Sequence, residues 1–333
     1  MKEYSGLSVE QIRREVLPHK QPAALRGLVG DWRAVREFLE SPVLLVSYLK
    51  SLDSGAVVDA LMTAPEAEGQ IAYNAAMDGF NFLRNRLPLS EIAAQVLRYA
   101  QFSRPPAVAA QSALIRDCLP GFARENALPL FDATILPRIW LGNRITTPTH
   151  VDEWNNIACT VAGRRRFTLF PPEQIANLYI GPLDFAPTGA AMSMVNLRNP
   201  DFARYPRFKD ALAAAQVAEL GPGDAVFIPP LWWHHVESLE PFNVLVNYWW
   251  HDPLGASTEA DSAFDALLHG ILSIRGLPPE TRRAWSAFFE QYVFGDANQS
   301  TLHIPPQRHG ILDEHSQEQL RMLRAHLATK LSR

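Results

Sequence analysis

The sequence predicts an α+β chain in which an antiparallel β-sandwich or barrel sits between two helix-rich flanks. Three observations carry that expectation. Short β-branched and aromatic runs, bounded by Gly, Pro or Asn, crowd the stretch from about 132 to 250. Amphipathic patterns of helical spacing precede them, and others follow. The 26 prolines and eight tryptophans among 333 residues suit a loop-rich, partly β protein.

The N-terminal flank comes first. "LSVEQIRREVL" (7–17) and "DWRAVREFLES" (31–41) have helical spacing, the second with Asp31 as its N-cap. Between them, "QPAALRGLV" reads as a short strand entering a Gly turn. "LPLSEIAAQVLRYAQF" (87–102) is a further amphipathic helix, capped by Ser90. Residues 1–125 are thus expected to form a mixed, mostly helical region.

The core is expected over 126–255. Its strands are "ATILPRIWLGN", "NIACTVAGRRRFTLFPP", "DAVFIPP" and "FNVLVNYWW". Between Pro171 and Gly221 lies a long insertion with one expected helix, "PRFKDALAAAQVAEL" (206–220). A loop that long inside a compact sheet is uncommon unless it has a function, such as shaping a pocket mouth. After "HDPLG" three amphipathic helical patterns fill 256–333. They are placed to close the sheet or to pair with a second subunit.

Composition excludes several classes. Two cysteines, Cys118 and Cys159, supply no disulfide framework and no Cys-based zinc motif. A formal charge of −4 gives no reason to expect nucleic-acid binding through bulk electrostatics. The N-terminal stretch has no apolar core of a secretory signal, and no run reaches the ~18 apolar residues of a membrane span. The expectation is a soluble, cytoplasmic protein without a membrane partner.

The chemistry concentrates in "TPTHVDEWNN", 147–156. On a strand, His150 and Asp152 would share a face and converge on one point. A lone H-x-D is weak evidence of a metal. The second half is "GPGDAVFIPPLWWHHVESL", 221–239, which reads as turn, buried strand, bend and a strand opening on two histidines. One of them, across the barrel, would complete two imidazoles and one carboxylate, a set that leaves positions open and suits non-heme Fe(II) and oxygen chemistry. His234 and His235 must face opposite ways on a strand, so only one can serve. His19, His251, His269, His303, His309, His315 and His326 have no partner at ligand spacing. The H-x-H-then-Glu pattern of small-molecule cupins is missing. A zinc hydrolase could use the same ligands, but its only nearby general base is Glu153, which a strand would turn away.

Together these motifs resemble the JmjC/cupin-like Fe(II)- and 2-oxoglutarate-dependent dioxygenases, most nearly the asparaginyl hydroxylase that inhibits hypoxia-inducible factor. The likeness spans roughly residues 20–250, through "TPTHVDEWNNIACTVAGRRRFTLFPPEQ", "VNLRNPDFARYPRF" and "GPGDAVFIPPLWWHHVESL" to "VNYWW". It implies a double-stranded β-helix, or jelly roll, with metal ligands His150, Asp152 and His234. It implies cosubstrate contacts from Thr147, Asn156 and Asn247. The family's cation for the distal carboxylate is a lysine where this chain has Arg165. Arginine keeps the charge and can pair bidentately, although it is longer and forked. If one strand ran through "AGRRRF", Arg165 would share a face with Val161 and Gly163, opposite Arg164 and Arg166. The resemblance further implies Fe(II), 2-oxoglutarate and O2 as cofactor and cosubstrates, and a homodimer built by the C-terminal helices.

The tryptophans Trp154, Trp232, Trp233, Trp249 and Trp250 surround the motifs in sequence, as aromatic walls of a dry site or as core filling. Three functions follow: an oxygenase hydroxylating a protein or peptide side chain, an oxygenase acting on a small metabolite, or a binding protein of the same fold without turnover. The intact triad argues against the third.

Overall fold

In the computed structural model, which describes residues 1–187, 189–251, 263–312 and 316–332, thirteen strands form two sheets. In chain order they are β1 (Lys2–Ser5), β2 (Ala23–Arg26), β3 (Val57–Thr63), β4 (Phe82–Pro88), β5 (Ala107–Leu114), β6 (Arg138–Gly142) and β7 (Thr146–His150). Then follow β8 (Asn155–Ala162), β9 (Arg165–Phe170), β10 (Gln216–Leu220), β11 (Ala225–Ile228), β12 (Trp233–Ser238) and β13 (Asn243–Trp250). The larger sheet runs β1-β2-β11-β8-β13-β6-β5-β3-β4 and the smaller β10-β9-β12-β7. All pairings are antiparallel except β1 with β2. This is a jelly-roll core with flanking helices.

Side-chain alternation assembles it. β8 is buried along its whole length. Its Ile157, Cys159 and Val161 join a core shared with the helices at Arg33–Glu40, Pro42–Leu52 and Leu89–Tyr99. Its Ala158 points the other way, into a second core with Val226 and Leu245 of the large sheet and Phe167, Leu220 and Val236 of the small one. The space between the sheets is therefore partly apolar, and β8 separates it from the helical layer.

Several expectations need correction. Residues 1–125 are mixed, with more helix than strand, but β3, β4 and β5 extend the large sheet, and Met1–Ala260 forms one compact unit with no break at 125/126. The Ala-rich "AVAAQSAL" has little β-propensity of its own; pairing of β5 with β3 and β6 decides its conformation. Neither expected helix cap is used. The helix Arg33–Glu40 has Trp32 at its N-cap, and Asn126 Oδ1 accepts from the Ala34 N–H at 2.8 Å. Ser90 lies within its helix, and its N–H donates to Asp53 Oδ2 at 2.7 Å. The insertion helix is only Phe208–Ala213. Beyond it, Ala218 and Leu220 point inward while Val217 is exposed, a period of two that makes β10.

The second unit, Asp261–Arg333, contains helices at Ala263–Ile274, Pro279–Phe289 and Gln317–Leu331. Large apolar side chains such as Leu272, Phe288, Phe294 and Met322 are exposed. Parts of the expected first and third C-terminal helices, at 257–262 and 313–315, lie outside the described residues, as does His315. Among the described residues no helix is long and apolar enough to cross a membrane.

Candidate metal centre

β7 and β12 lie antiparallel, with His150 opposite His234. That register sets the two imidazole rings 4.1 Å apart, centroid to centroid. Asp152 arrives differently from the expectation. β7 ends at His150, so Asp152 reaches the site from the turn beyond it rather than from a shared strand face. Its backbone carbonyl accepts the Leu231 N–H at 2.9 Å, which ties this turn to the approach of β12. Asp152 Oδ2 lies 3.6 Å from His234 Nε2. One ligand atom from each of His150, Asp152 and His234 falls within 4.8 Å of the others.

Backbone contacts prepare both rings for ligation. His150 Nδ1 is 2.8 Å from the Pro148 carbonyl oxygen, and His234 Nδ1 is 3.0 Å from that of Trp232. A carbonyl can only accept, so each Nδ1 carries the proton and each Nε2 keeps its lone pair. Burial, then the charge of His150, lower the pKa of His234 to about 4, which keeps its ring neutral. The Trp249 indole N–H donates to Asp152 Oδ2 at 3.2 Å and fixes the carboxylate. Two neutral imidazoles and a carboxylate fit a divalent ion with open positions.

The three side chains border a cavity of about 180 Å³, and Thr147, Asn156, Arg165 and Asn247 line it as well. All seven residues selected from the sequence therefore meet at one place. The Trp140 indole donates to Asn247 Oδ1 at 3.0 Å, and Asn247 Nδ2 to Asn156 Oδ1 at 3.4 Å, which orients the amides across β6, β13 and β8.

Arg165 is the unusual member. It is 6% exposed, whereas Arg164 and Arg166 are outside, paired with Glu219, Glu240 and Glu237. The expected common face with Val161 and Gly163 does not exist. Gly163, at φ +71°, starts the turn that carries the chain from β8 in the large sheet to β9 in the small one; a Cβ there would lie 2.3 Å from Asn243 Oδ1. Val161 then faces the helical core and Arg165 the cavity. Among the described residues the guanidinium has no ion-pair or hydrogen-bond partner, and its Nε is buried. Burial lowers its pKa to about 10, so it stays charged at neutral pH. A buried unpaired cation is unfavourable, and an anion in the cavity would relieve it.

His235 faces away from this cavity, as alternation requires. It lines a separate one of about 220 Å³ with Tyr73, Met192 and Met194, and both its ring nitrogens are unpartnered. Burial, with smaller effects from His150, Arg198 and His234, lowers its pKa to about 3. Glu153 is not among the residues lining the metal cavity. Of the five tryptophans, only Trp249 lines it; Trp232, Trp233 and Trp250 fill three different cores. Trp154 packs edge-on against Trp249 at 6.2 Å.

Trp140 and Ser112 are among the lining residues that were not foreseen. Trp140 was readable, because Ile139 and Leu141 belong to the helical core and alternation turns Trp140 inward. Ser112 was not. It sits where the β5–β6 register shifts between Ala110 and Ala113, at φ +46°, a bulge that re-aims one side chain without a pattern in the sequence.

Residues 9–255 match the family model described as Cupin-like domain. HSPB1-associated protein 1 of Homo sapiens is 34% identical over 149 residues, 44% of this chain and 30% of that protein. Lysine-specific demethylase JMJ31 of Arabidopsis thaliana is 41% identical over 102 residues, 31% of this chain and 18% of that protein. tRNA wybutosine-synthesizing protein 5 of Danio rerio is 33% identical over 159 residues, 42% of this chain and 45% of that protein. The chain spans less than half the length of each of these relatives.

Proposed function

The chain belongs to the Cupin-like domain family, and from that premise we propose that it is an Fe(II)- and 2-oxoglutarate-dependent oxygenase that hydroxylates a side chain of a protein or peptide. The observation that carries this reading is the pairing, in one cavity, of a three-atom ligand set with a buried guanidinium that has no ion-pair partner among the described residues.

His150, Asp152 and His234 would hold the metal through two Nε2 atoms and a carboxylate oxygen. Bound together, Fe(II) and 2-oxoglutarate reduce O2, release succinate and CO2, and convert a substrate C–H to C–OH. The chain's own residues bind and orient. Arg165 would take the distal carboxylate bidentately, and Thr147, on β7 beside the metal ligands, offers a hydroxyl to the same group. Asn156 and Asn247 present amides to the cosubstrate or substrate. Trp249 holds Asp152 in its ligating orientation, and Trp140, Phe167, Ile228 and Leu245 keep water from the reacting centre.

Cavity size favours a side chain over a whole metabolite. Pockets that enclose a small ligand span about 300–1,000 Å³. A cavity of about 180 Å³, shared with a five-carbon diacid, leaves room for one side chain reaching in from a chain held outside. The relatives differ in what their names say they act on, a lysine in one and a tRNA in another, so they do not select the substrate. In the same reading, the exposed apolar side chains of the C-terminal helices pair two copies into a homodimer.

The test is cosubstrate binding first and turnover second. Protein loaded with Mn(II) should bind 2-oxoglutarate in a calorimeter, and no detectable binding would overturn the oxygenase reading. With Fe(II) and ascorbate it should release succinate, and His150→Ala should abolish that release.

A further inference from the structure

Resting on the oxygenase reading above, we propose that Arg138 selects the substrate. Its guanidinium binds the carboxylate of an aspartate or glutamate within about three residues of the hydroxylated side chain, roughly 10 Å of extended chain.

Strand pairing places Arg138 on the cavity side of the large sheet. It lies opposite Asn247 of β13 and two residues before Trp140 on β6, and both of those line the metal cavity. Ile139, between Arg138 and Trp140, faces the helical core. Arg138 opens β6 at the end of the jelly roll where β7 stops at His150 and β12 starts at Trp233. It therefore stands at the mouth of the cavity, one strand step beyond Trp140.

The guanidinium is held without being neutralised. Nη1 donates to the Ser112 carbonyl at 2.9 Å and reaches Ser112 Oγ at 3.4 Å. The guanidinium carbon lies 6.0 Å from the centre of the Trp249 ring, whose indole N–H donates to Asp152 Oδ2. One indole thus separates this cation from a metal ligand. Among the described residues Arg138 has no ion-pair partner, and neither its Nε nor its Nη2 has an acceptor. Those two nitrogens form an edge that can take a carboxylate bidentately. An arginine on an open surface swings in water; this one is half-buried and held on two sides. The β5 bulge serves the arrangement. At φ +46° Ser112 itself lines the cavity, while its carbonyl accepts from Arg138. Backbone of that conformation is strained in a non-glycine residue, and such strain gathers at functional sites.

Charge balance gives the sign of the ligand. Among the described residues, Asp152 and Arg165 are the ionised side chains that line the cavity. Fe(II) and Arg165 bring three positive charges; Asp152 and the two carboxylates of 2-oxoglutarate bring three negative ones. The loaded centre is neutral, and Arg138 is left unmatched at its mouth. A substrate carboxylate completes the balance, whereas a lysine or arginine there is repelled. The cavity admits one side chain, so the carboxylate belongs to a neighbouring residue of the same peptide.

The test incubates the whole chain with Fe(II), 2-oxoglutarate, ascorbate and a proteome-derived peptide library. Tandem mass spectrometry reads the products against a control without 2-oxoglutarate. Hydroxylated peptides should carry Asp or Glu near the modified position several-fold more often than the library does. For one such peptide, Arg138→Gln should lower kcat/KM about 10- to 100-fold, the loss of a charge-assisted pair. Replacing the peptide's acid by its amide should cost as much, and both changes together no more than either alone. Arg138→Glu should prefer peptides in which Lys or Arg replaces the acid, a reversal that damage to the bulge would not produce. Additive losses in that cycle, no enrichment of acids, or no hydroxylated peptide from a protein that binds 2-oxoglutarate would each overturn the inference. Absence of 2-oxoglutarate binding to the Mn(II) protein overturns instead the oxygenase reading on which it rests.

Discussion

Replacing Arg165 by methionine should push cosubstrate affinity and protein stability in opposite directions. The side chain is 6% exposed, lines the cavity of the three ligand atoms, and has no ion-pair partner among the described residues. Methionine replaces the arginine stem as far as the Nε position, without the charge. If the guanidinium holds the distal carboxylate of 2-oxoglutarate, Arg165→Met removes a buried, bidentate, charge-assisted pair, worth about 2–5 kcal/mol on truncation. Affinity should therefore fall about 30-fold to several thousand-fold. In the protein without metal or cosubstrate the same change removes an uncompensated buried cation. Apolar replacement of buried charge is commonly neutral or stabilising, by about 1–4 kcal/mol. Calorimetric titration of the Mn(II) protein measures the first effect, and urea denaturation of the metal-free protein the second. Arg165→Lys keeps the charge and should retain part of the binding. Affinity within threefold of the parent would refute the assignment. So would a metal-free Arg165→Met protein less stable than the parent, because Arg165 would then be a structural residue.

Trp249→Phe removes the indole donor to Asp152 Oδ2 and should weaken metal binding about 10- to 100-fold with little change in fold, read by Mn(II) titration. His234 and His235 have folded pKa values near 4 and 3, below the ordinary 6.5, so the fold keeps both neutral. As pH falls below 6.5 the unfolded chain takes up protons that the folded one refuses. Stability of the metal-free protein should therefore be full above pH 6.5 and decline toward pH 4, by about 1.4 kcal/mol per pH unit for each histidine, as urea midpoints would show. Ser238→Ala deletes the unpartnered buried hydroxyl and should stabilise the protein by about 1 kcal/mol, as urea midpoints would show. Light scattering should give the mass of a dimer, and Phe288→Glu with Met322→Glu, both at exposed positions, that of a monomer.

The part of the site legible in the sequence is the part that strand periodicity controls. Adjacent histidines on a strand must diverge, and they do: His234 to the metal cavity, His235 to another. Arg165 is inside and both neighbours are out, for the same reason. What failed depends on partners distant in the chain. Asp31 and Ser90 are good caps by composition, yet Asn126 and Asp53 do the work from 92 and 37 residues away. Of the strands in the N-terminal flank β2 was expected, but β5 was missed because "AVAAQSAL" takes its conformation from two neighbouring strands, and the Ser112 bulge exists only in that pairing. The H-x-D reading reached the right pair for an incomplete reason, since β7 stops before Asp152 and a contact with Leu231 completes the turn.

β12 shows why these separate features belong to one design. All six of its residues, Trp233 to Ser238, are buried, yet four are polar or ionisable. A strand serving only packing would carry apolar residues there, because each buried polar group needs a partner. The partners divide by position. His234 faces Asp152 and His150, and Glu237 lies between Arg166 and Arg198. The side chains of His235 and Ser238 have no hydrogen-bond partner among the described residues, and His235 lines a cavity of its own. Ser238 also lies directly opposite Arg165 on β9. Paired residues on neighbouring strands share a face, so the Ser238 side chain lies on the Arg165 side of β12. Any influence of Ser238→Ala on 2-oxoglutarate binding should thus pass through that cross-strand pair. It should appear as a change in cosubstrate affinity rather than in metal affinity, because His150 and Asp152 lie at the opposite end of β12.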